Sequence, residues 1–324
     1  MIISASRRSD IPAFFSEWFL RRIREGYALV RNPMNPRQIS RVLLTPDVTD
    51  CIVFWTKNPI PLIPRLKELA DYQYYFQFTL TPYGRDIEKN IPDKRERIVP
   101  AFRELAERIG PERVIWRYDP IIVTKRYTVE RHLEAFEEIA GLLKGCTEKC
   151  VFSFVDEYRK NSKALQDLGA EELGESVMRD MAVKLRDIAG ACGMKTATCS
   201  EKIDLDALGI DHNACIDKEL VERICGGKIP DLKKYRKDQG QRQECKCMSS
   251  KDIGAANTCS NGCLYCYATD SAERVKRSMA AYDPASPILC DSVAEGEVIT
   301  DAPDMKKWIQ TDGQLSMFDL TDEG

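Results

Sequence analysis

The 324-residue sequence has no apolar run that could cross a membrane, and its first residues do not resemble a signal peptide. A membrane span needs roughly 18 to 20 consecutive apolar residues, and no stretch of this chain approaches that length. The N-terminus has apolar residues first and Arg7 and Arg8 after them, the reverse of the order in a signal peptide. We therefore expect a soluble cytoplasmic protein with enough chain for one large domain or two small ones.

We expect no secretion signal, and disulfide bonds persist mainly in secreted proteins. Most of the chain's 13 cysteines are therefore expected to be reduced thiols. Any cysteines that cluster are better explained by metal or redox chemistry than by disulfide bonds.

No internal repeat is visible, and no glycine-rich turn follows the first predicted strand. The first two thirds of the chain alternate β-branched or aromatic runs with segments of helical period, which is typical of parallel strands joined by helices. About six to eight such units favour a (β/α) barrel, complete or partial and TIM-like, over an open doubly wound sheet, which stays the alternative. The predicted strands are Ile2–Ser6, Tyr27–Arg31, Ser40–Thr45, Cys51–Thr56, Tyr74–Thr81, Val114–Tyr118, Cys150–Val155, Lys195–Cys199 and a short one near Ile210.

Composition divides the chain into three regions. We predict a barrel domain over residues 1–225 and a cysteine-rich segment over residues 226–290 that docks on it, with a helix from Tyr267 to Ala281. Residues 291–324 hold nine acidic and two basic side chains, so we expect a flexible acidic tail on a mildly basic body.

Polar side chains follow the predicted strands at the point where each strand ends. In a barrel the functional residues gather at that face, although capping and solvation of the loops explain such residues equally well. The candidates are Arg7, Arg8, Asp10, Lys57, Asn58, Arg117 and Asp119.

The strongest chemical signal is a CxxxCxxC spacing formed by Cys259, Cys263 and Cys266. Three thiolates on one tight loop can each hold one iron of a 4Fe-4S cubane and leave the fourth iron without a cysteine from the motif. An open coordination position indicates chemistry, as it does at catalytic zinc sites. A structural zinc site, or cysteines that share a loop by chance, is the alternative.

This motif resembles that of the radical S-adenosylmethionine enzymes, and Cys263-Leu264-Tyr265-Cys266-Tyr267 is especially similar to the spore photoproduct lyases. The resemblance implies that the open iron chelates S-adenosylmethionine and that reduction by an external electron donor yields a 5′-deoxyadenosyl radical. Here the motif lies near the C-terminus instead of after the first strand, so the resemblance implies a circularly permuted barrel. No Gly-Gly-Glu stretch is present to bind the methionine amine. We therefore expect Arg7, Arg8, Asp10 and Asn58 to bind the cofactor. Lys57, Arg117 and Asp119 are the candidates for catalysis.

Over nearly its whole length the chain also resembles the bacterial DUF1848 family, whose function is uncharacterised. The similar stretches begin with Ile3-Ser4-Ala5-Ser6-Arg7-Arg8 and include Arg31-Asn32-Pro33, Phe54-Trp55-Thr56-Lys57-Asn58-Pro59, Trp116-Arg117-Tyr118-Asp119-Pro120 and Asp252-Ile253-Gly254. This resemblance implies one continuous fold and supplies no activity.

A second group of thiols comprises Cys245, Cys247, Cys199 and Cys215. They are predicted to come near one another where the cysteine-rich segment docks, and could bind an auxiliary iron-sulfur cluster or zinc, with Cys225 as a possible substitute. The remaining cysteines are read as core or surface residues. Of the two histidines, we expect His132 on a helix surface, and His212 is a candidate ligand or general acid.

Near its end the acidic tail carries Gln314-Leu315-Ser316-Met317-Phe318, which resembles the peptides that bind the bacterial sliding clamp. The alternative is an amphipathic end that packs on its own domain. Basic residues between Lys228 and Arg242, and the group Arg21, Arg22 and Arg24 on the first helix, offer phosphate contacts.

Taken together, these patterns predict a radical S-adenosylmethionine-type iron-sulfur enzyme that acts on DNA, by lesion reversal or base modification, and is recruited by the sliding clamp. A base flipped from a duplex would stack against Trp55, Tyr83, Trp116 or Tyr118, although core packing is the usual fate of such rings. The alternatives are a non-catalytic iron-sulfur or zinc module that binds DNA and the clamp, and a radical enzyme that acts on a small metabolite.

Overall fold

The computed structural model describes residues 1–227, 236–238 and 240–302, in which eight parallel strands form one large sheet. Its strand order is β10-β1-β4-β5-β6-β7-β8-β9, and every neighbouring pair is parallel. The strands are β1 Ile2–Ala5, β2 Tyr27–Arg31, β3 Gln38–Leu43, β4 Cys51–Thr56, β5 Tyr74–Thr79, β6 Val114–Ile121, β7 Lys149–Phe154, β8 Lys195–Thr198, β9 Asp211–His212, β10 Lys251–Asp252 and β11 Val298–Asp301. This arrangement confirms the predicted α/β class and its parallel sheet.

Helices connect the strands, as the alternating pattern predicts. They are α1 Ile11–Phe14, α2 Ser16–Glu25, α3 Val99–Ile109, α4 Val129–Leu142, α5 Ser162–Asp167, α6 Glu175–Ala191, α7 Lys218–Ile224 and α8 Ala272–Ala280. Thr128 caps α4, because its side chain accepts a hydrogen bond from Arg131 N. None of the helices in the described residues is long and apolar enough to span a bilayer.

One face of the sheet packs against the connecting helices through aromatic rings. Phe19 of α2 contacts Phe54 with ring centroids 5.2 Å apart, and Phe102 of α3 contacts Phe78 at 4.8 Å. Farther along the sheet, Trp116 and Phe136 of α4 are stacked at 4.7 Å. Because β1, β4, β5, β6 and β7 are buried on both faces, their sequences read as nearly continuous apolar runs.

The opposite face packs against a plug formed by chain segments that follow β9. Val53, Tyr75 and Val151 share a buried cluster with Val221 of α7 and with Met248. The Tyr75 hydroxyl donates to the carbonyl of Cys215 at 2.6 Å, and Met248 N donates to the carbonyl of Ile216 at 3.1 Å. These bonds join the last part of the sheet to the cysteine-rich segment that leads into β10.

The predicted extra strands form a second sheet with the order β11-β3-β2. Strands β2 and β3 pair antiparallel, whereas β11 lies parallel to β3. Arg31 bonds to Asp291 at 2.6 Å and to Glu297 at 2.5 Å. The first part of the acidic segment is therefore paired with the body, and residues 303–324, which include the predicted clamp peptide, lie outside the described residues.

Candidate functional site

A cavity of about 380 Å³ opens at the carboxyl ends of the parallel strands. Strands β1, β4, β6, β7 and β8 each contribute residues at or just after their last positions. Six of the polar candidates line it, namely Arg7, Arg8, Asp10, Lys57, Arg117 and Asp119. All seven candidate ligand cysteines line it as well: Cys199, Cys215, Cys245, Cys247, Cys259, Cys263 and Cys266.

Asn58 is the one candidate of this set that does not line the cavity. Its backbone N–H donates to Thr56 Oγ1 at 2.9 Å, and its side-chain oxygen accepts from Ile60 N at 3.3 Å. The side chain thus stabilises the turn after β4. This is the loop-capping role that the sequence leaves as the alternative to a functional one.

The CxxxCxxC loop is attached to the body by hydrogen bonds at several points. Asn261 donates to Asp10 Oδ2 at 2.9 Å, and Asn90 donates to the carbonyl of Ser260 at 2.7 Å. Leu264 N donates to the carbonyl of Ile87 at 3.0 Å. Because these bonds join the loop to segments far away in sequence, the positions of its thiols depend on the whole fold.

Gly262 allows the close approach between this loop and the body. Its φ is +68°, and a Cβ there would lie 3.1 Å from Asn90 Nδ2 and 3.3 Å from Lys89 Cβ. Glycine is the residue that tolerates both the left-handed backbone and the short contacts.

Glu88 is a buried carboxylate that sequence reasoning missed. It accepts hydrogen bonds from Lys57 Nζ at 2.8 Å and Thr81 Oγ1 at 2.9 Å, and also from Lys94 and the Tyr265 hydroxyl. Burial would raise its pKa, but the two ammonium groups outweigh burial and lower the pKa to about 2. No local pattern marks Glu88, since it lies in a loop and acquires its partners only in the folded chain.

Two thiols of the loop, Cys259 and Cys263, favour the protonated form when no metal is bound. Burial raises the pKa of Cys263 to about 12, although the Lys57 ammonium opposes this shift. Burial likewise raises the pKa of Cys259. Such thiols become anionic ligands when a metal replaces the proton, and the nearby cation favours that change.

Asp10 uses both carboxylate oxygens within the protein. It accepts from Thr56 Oγ1 at 2.6 Å, Lys57 N at 2.8 Å, Asn261 Nδ2 at 2.9 Å and Ala13 N at 3.1 Å. Burial nevertheless raises its pKa. The carboxylate holds β1, β4 and the cysteine loop together at the cavity wall.

Arg7 and Arg8 differ in how far their guanidinium groups are already engaged. Arg8 donates from Nε and Nη2 to Asp252 Oδ1 at 3.2 and 3.1 Å. Arg7 lies over the Trp55 ring at 5.1 Å, and its Nη1 is 3.5 Å from Asp238 Oδ2. Arg7 Nη2 is buried and has no hydrogen-bond partner in the described part of the chain.

The second group of thiols meets on another wall of the same cavity. Cys199 Sγ and Cys215 Sγ are 3.6 Å apart, and Cys215 N donates to Cys247 Sγ at 3.1 Å. Arg117 Nη1 donates to Cys215 Sγ at 2.9 Å, and the same guanidinium pairs with Asp119. Cys225 does not line the cavity, since its thiol donates to the carbonyl of Asp50 at 3.4 Å.

The two histidines lie away from the cavity. His132 is 1% exposed, so the predicted surface position is wrong: its ring is buried between the Tyr118 hydroxyl at 2.9 Å and the carbonyl of Ile122 at 3.0 Å. His212 has a ring nitrogen within 4.8 Å of carboxylate oxygens of Asp204 and Asp206.

One of the predicted phosphate contacts is also wrong. Arg22 is fully buried, and its Nη2 lies 2.9 Å from Glu25 and 3.3 Å from the carbonyl of Ala285. The segment around Ala285 covers this face of α2, which a helical pattern alone does not reveal. Arg21 and Arg24 remain exposed, although both pair with glutamates of the same surface.

Of the predicted stacking aromatics, Trp55 lines the cavity, and Tyr83, Trp116 and Tyr118 are buried in the core. Two unpredicted tyrosines, Tyr158 and Tyr267, also line the cavity, with ring centroids 6.1 Å apart. Tyr267 is 51% exposed. The guanidinium of Arg242 lies over the Tyr158 ring at 5.6 Å. The rim therefore carries two aromatic rings and a guanidinium that is paired with Asp156 Oδ2 at 2.6 Å.

Fold and site together define a parallel α/β protein with a thiol-lined cavity at the carboxyl ends of its strands. The chain belongs to the DUF1848 family, described as a domain of unknown function, which matches residues 2–268. The matched region ends two residues after Cys266, so it includes all seven cavity cysteines and excludes the acidic tail. No curated protein and no solved structure matches the chain.

Proposed function

We propose that the protein is a radical S-adenosylmethionine-type iron-sulfur enzyme in which Cys259, Cys263 and Cys266 hold a 4Fe-4S cluster. The observation that carries the proposal is that the three thiols of one loop line a single cavity at the carboxyl ends of parallel strands. Functional sites of parallel α/β folds lie at this edge.

The strand order supports the permuted barrel that the resemblance implies. Counted from the β10 edge, the strands of the sheet follow one another in the order β10, β1, β4, β5, β6, β7, β8 and β9. The cysteine loop follows β10 directly in the chain. The motif comes late in the sequence, but it follows the strand that lies first in the spatial order of the sheet, β10. In the family that it resembles, the motif likewise follows the first strand. The bond between Met248 and Ile216 links the segments beside the two outer strands, which favours a curled, barrel-like sheet.

The residues present fit an iron-sulfur cluster better than a single ion. Zinc bound tetrahedrally by thiolates at about 2.3 Å brings its sulfur atoms within about 3.8 Å of one another. Among the described residues, Asp204, Asp206 and His212 form the only group of three metal-ligand side chains whose oxygen, nitrogen or sulfur ligand atoms all lie within 4.8 Å of one another. The three loop thiols do not form such a group. The spacing of the three loop thiols is therefore wider than one ion requires, as a multinuclear cluster requires it to be.

A bound cluster with one iron free of cysteine would supply a coordination position for S-adenosylmethionine and the electron that cleaves it. Arg7 is suited to the cofactor carboxylate, since its Nη2 donor is unpaired among the described residues. Trp55 and Tyr267 offer ring faces to an adenine. The cavity volume lies within the range of about 300 to 1,000 Å³ that is typical of small-ligand sites.

Lys57 and Asp119 remain candidates for substrate contacts. Burial would lower the pKa of Lys57, but Glu88 and the Cys263 thiol outweigh burial and raise it. Lys57 therefore stays cationic at the cavity wall and stabilises anionic groups there. Asp119 is bound to Arg117 and to the Ser153 hydroxyl, which orient its carboxylate.

Anaerobic reconstitution of the full chain with iron and sulfide tests the enzyme class. We expect a brown protein whose reduced-state electron paramagnetic resonance signal changes when S-adenosylmethionine is added, and release of 5′-deoxyadenosine under reducing conditions. Cys263→Ala should abolish both, whereas Cys192→Ala, which changes a cysteine outside the cavity, should leave both intact. A colourless preparation that carries zinc would contradict the proposal.

We further propose DNA as substrate and the sliding clamp as the recruiting partner. The support is the cation and aromatic rim of Arg242, Tyr158 and Tyr267, together with the Gln314–Phe318 peptide in the sequence. Such a tethered peptide would raise the local concentration of the body near DNA, to roughly millimolar for a short flexible linker.

Retention of the chain on immobilised bacterial sliding clamp tests the recruitment. The double variant Gln314→Ala and Phe318→Ala should lose retention, because it removes the polar anchor and one apolar anchor of the peptide. Gln310→Ala, which lies just upstream of the peptide, is the control and should retain binding. Equal retention of the double variant and the unmodified chain would remove the clamp from the proposal.

A further inference from the structure

We propose that Cys199, Cys215, Cys245 and Cys247 hold a second iron-sulfur cluster on another wall of the cavity. This site shares no ligand with the CxxxCxxC loop, so it goes beyond the proposed function and can be tested apart from it. Three features support the second cluster: the convergence of the four thiols, the cations around their sulfur atoms and the spacing of those atoms.

The four cysteines come from three separate parts of the chain. Cys199 follows β8, Cys215 lies beyond β9, and the pair Cys245 and Cys247 precedes β10. Cys199 Sγ and Cys215 Sγ are 3.6 Å apart, and Cys247 Sγ accepts N–H groups from Cys215 at 3.1 Å and Ile216 at 3.4 Å. All are free thiols, and a disulfide would require about 2.05 Å between sulfur atoms.

Ordinary core packing explains the apolar neighbours of these thiols but does not explain their cationic neighbours. Arg117 is 5% exposed and donates from Nη1 to Cys215 Sγ at 2.9 Å. Arg7 lines the same cavity as Cys247 and Cys215. Asp119 pairs with Arg117, and thiolates that ligate a metal would add negative charge beside the same guanidinium.

An anionic cluster accounts for these donors. Thiolate sulfur atoms that ligate iron are stabilised by hydrogen bonds from backbone N–H groups and from charged side chains, and these bonds also set the reduction potential. Here Cys215 N and Ile216 N already donate to Cys247, and Arg117 donates to Cys215. The donors are thus in position around the sulfur atoms that would carry the charge.

The sulfur spacing favours a cluster over zinc. Cys199 Sγ and Cys215 Sγ are 3.6 Å apart, whereas Cys247 Sγ accepts from the backbone N–H groups of Cys215 and Ile216. No three of these four described thiols lie all within 4.8 Å of one another. A tetrahedral zinc ion would bring all four sulfur atoms within about 3.8 Å. An elongated set suits thiolates that bind different iron atoms of one cluster.

The test uses the full chain after anaerobic reconstitution with iron and sulfide. The triple variant Cys259→Ala, Cys263→Ala and Cys266→Ala removes the first site, and we expect it to keep about half of the bound iron and sulfide. Its reduced-state paramagnetic signal should not respond to S-adenosylmethionine. Adding Cys245→Ser and Cys247→Ser to the triple variant should remove the remaining iron, whereas adding Cys146→Ser and Cys192→Ser, outside the cavity, should not.

Arg117→Gln provides a second measurement that does not remove a ligand. In the triple-variant background it should keep the iron and sulfide content but change the midpoint potential of the remaining cluster, because a cationic donor to Cys215 is lost. A triple variant without iron and sulfide, or one that holds a single zinc ion per chain instead, would overturn the inference. Failure of the proposed function looks different: the triple variant would keep its cluster, and the unmodified chain would show no response to S-adenosylmethionine.

Discussion

The ring of His132 is buried, and burial disfavours its charged form. Nε2 donates to the carbonyl of Ile122 at 3.0 Å, and Nδ1 lies 2.9 Å from the Tyr118 hydroxyl, which also donates to the carbonyl of His132 at 3.2 Å. Burial lowers the pKa of His132, although the hydrogen bond to Ile122 opposes this shift.

We expect this histidine to make stability depend on pH below neutrality. As pH falls below about 6.5, the unfolded chain takes up a proton that the native ring does not, so the free energy of unfolding decreases. One such group contributes a slope of at most about 1.4 kcal/mol per pH unit. Urea denaturation between about pH 5 and pH 8, which brackets that pKa, should show a smaller dependence of the free energy of unfolding on pH for His132→Gln. His212→Gln is the control, and an identical slope for His132→Gln and the unmodified chain would contradict this account.

Gly262 illustrates a second residue-scale requirement, which is steric. Gly262→Ala and the control Gly145→Ala both add a Cβ at positive φ, +68° and +78°, and each should cost about 1 kcal/mol of stability. Only at Gly262 would the Cβ also meet neighbouring atoms, at 3.1 and 3.3 Å, whereas nothing lies within 4 Å at Gly145. We therefore expect iron content after reconstitution to fall in Gly262→Ala and to stay unchanged in Gly145→Ala. Full iron loading of both variants would show that the loop tolerates the displacement.

At the scale of elements, the two-residue strand β10 is held to the sheet largely by one side chain. Asp252 accepts hydrogen bonds from Ser4 Oγ at 2.7 Å, Ser6 Oγ at 2.6 Å and Arg7 N at 2.8 Å, besides its pair with Arg8. So short a strand has few ladder bonds of its own, and the cysteine loop follows it directly. The carboxylate thus connects the position of the thiols to β1.

Asp252→Asn should weaken this attachment. The amide loses the charge that pairs with Arg8 and turns an NH₂ group toward donors, so we expect a loss of roughly 2 to 4 kcal/mol in the free energy of unfolding. Iron content should fall as well. Asp301→Asn on β11, which removes a looser pair with Arg41 at 3.7 Å, is the matched control and should change stability by less than about 1 kcal/mol. Equal losses in the two variants would argue against a special role for Asp252.

At the scale of the whole molecule, the cavity thiols link parts of the chain that are distant in sequence. Cys199 and Cys215 follow β8 and β9 at one edge of the sheet, while Cys245 through Cys266 surround β10 at the other edge. Metal bound by both sets would join the two outer strands through the cavity. Binding to the native state alone stabilises it by mass action.

We therefore expect the melting temperature to rise by several degrees on anaerobic reconstitution, since about 1 kcal/mol corresponds to roughly 2 to 4 °C for a domain near this size. Removal of iron by a chelator and an oxidant should reverse the rise. Calorimetry of the seven-cysteine variant, with serine at each cavity thiol, should show no change on reconstitution. An equal rise in that variant would locate the stabilising metal elsewhere.

The local pattern of residues determined the element order, because strand and helix periods are properties of short segments. Strands from Ile2, Cys51, Tyr74, Val114 and Lys149 begin where the apolar runs begin or within a residue of them. The spacing of Cys259, Cys263 and Cys266 is likewise written in the chain itself. The same local reasoning misplaced His132 and Arg22, since the segments that bury them lie elsewhere in sequence.

Only the tertiary structure decided that β10 lies beside β1, that Glu88 gathers Lys57, Lys94 and Tyr265, and that two groups of thiols face one cavity. Each of these features joins residues separated by tens to hundreds of positions, and no periodicity or spacing within one segment encodes such a contact. Sequence by itself thus determined which ligands and which elements exist. The packing of the sheet and its connections decided which of them meet, because that depends on the burial of the whole chain at once.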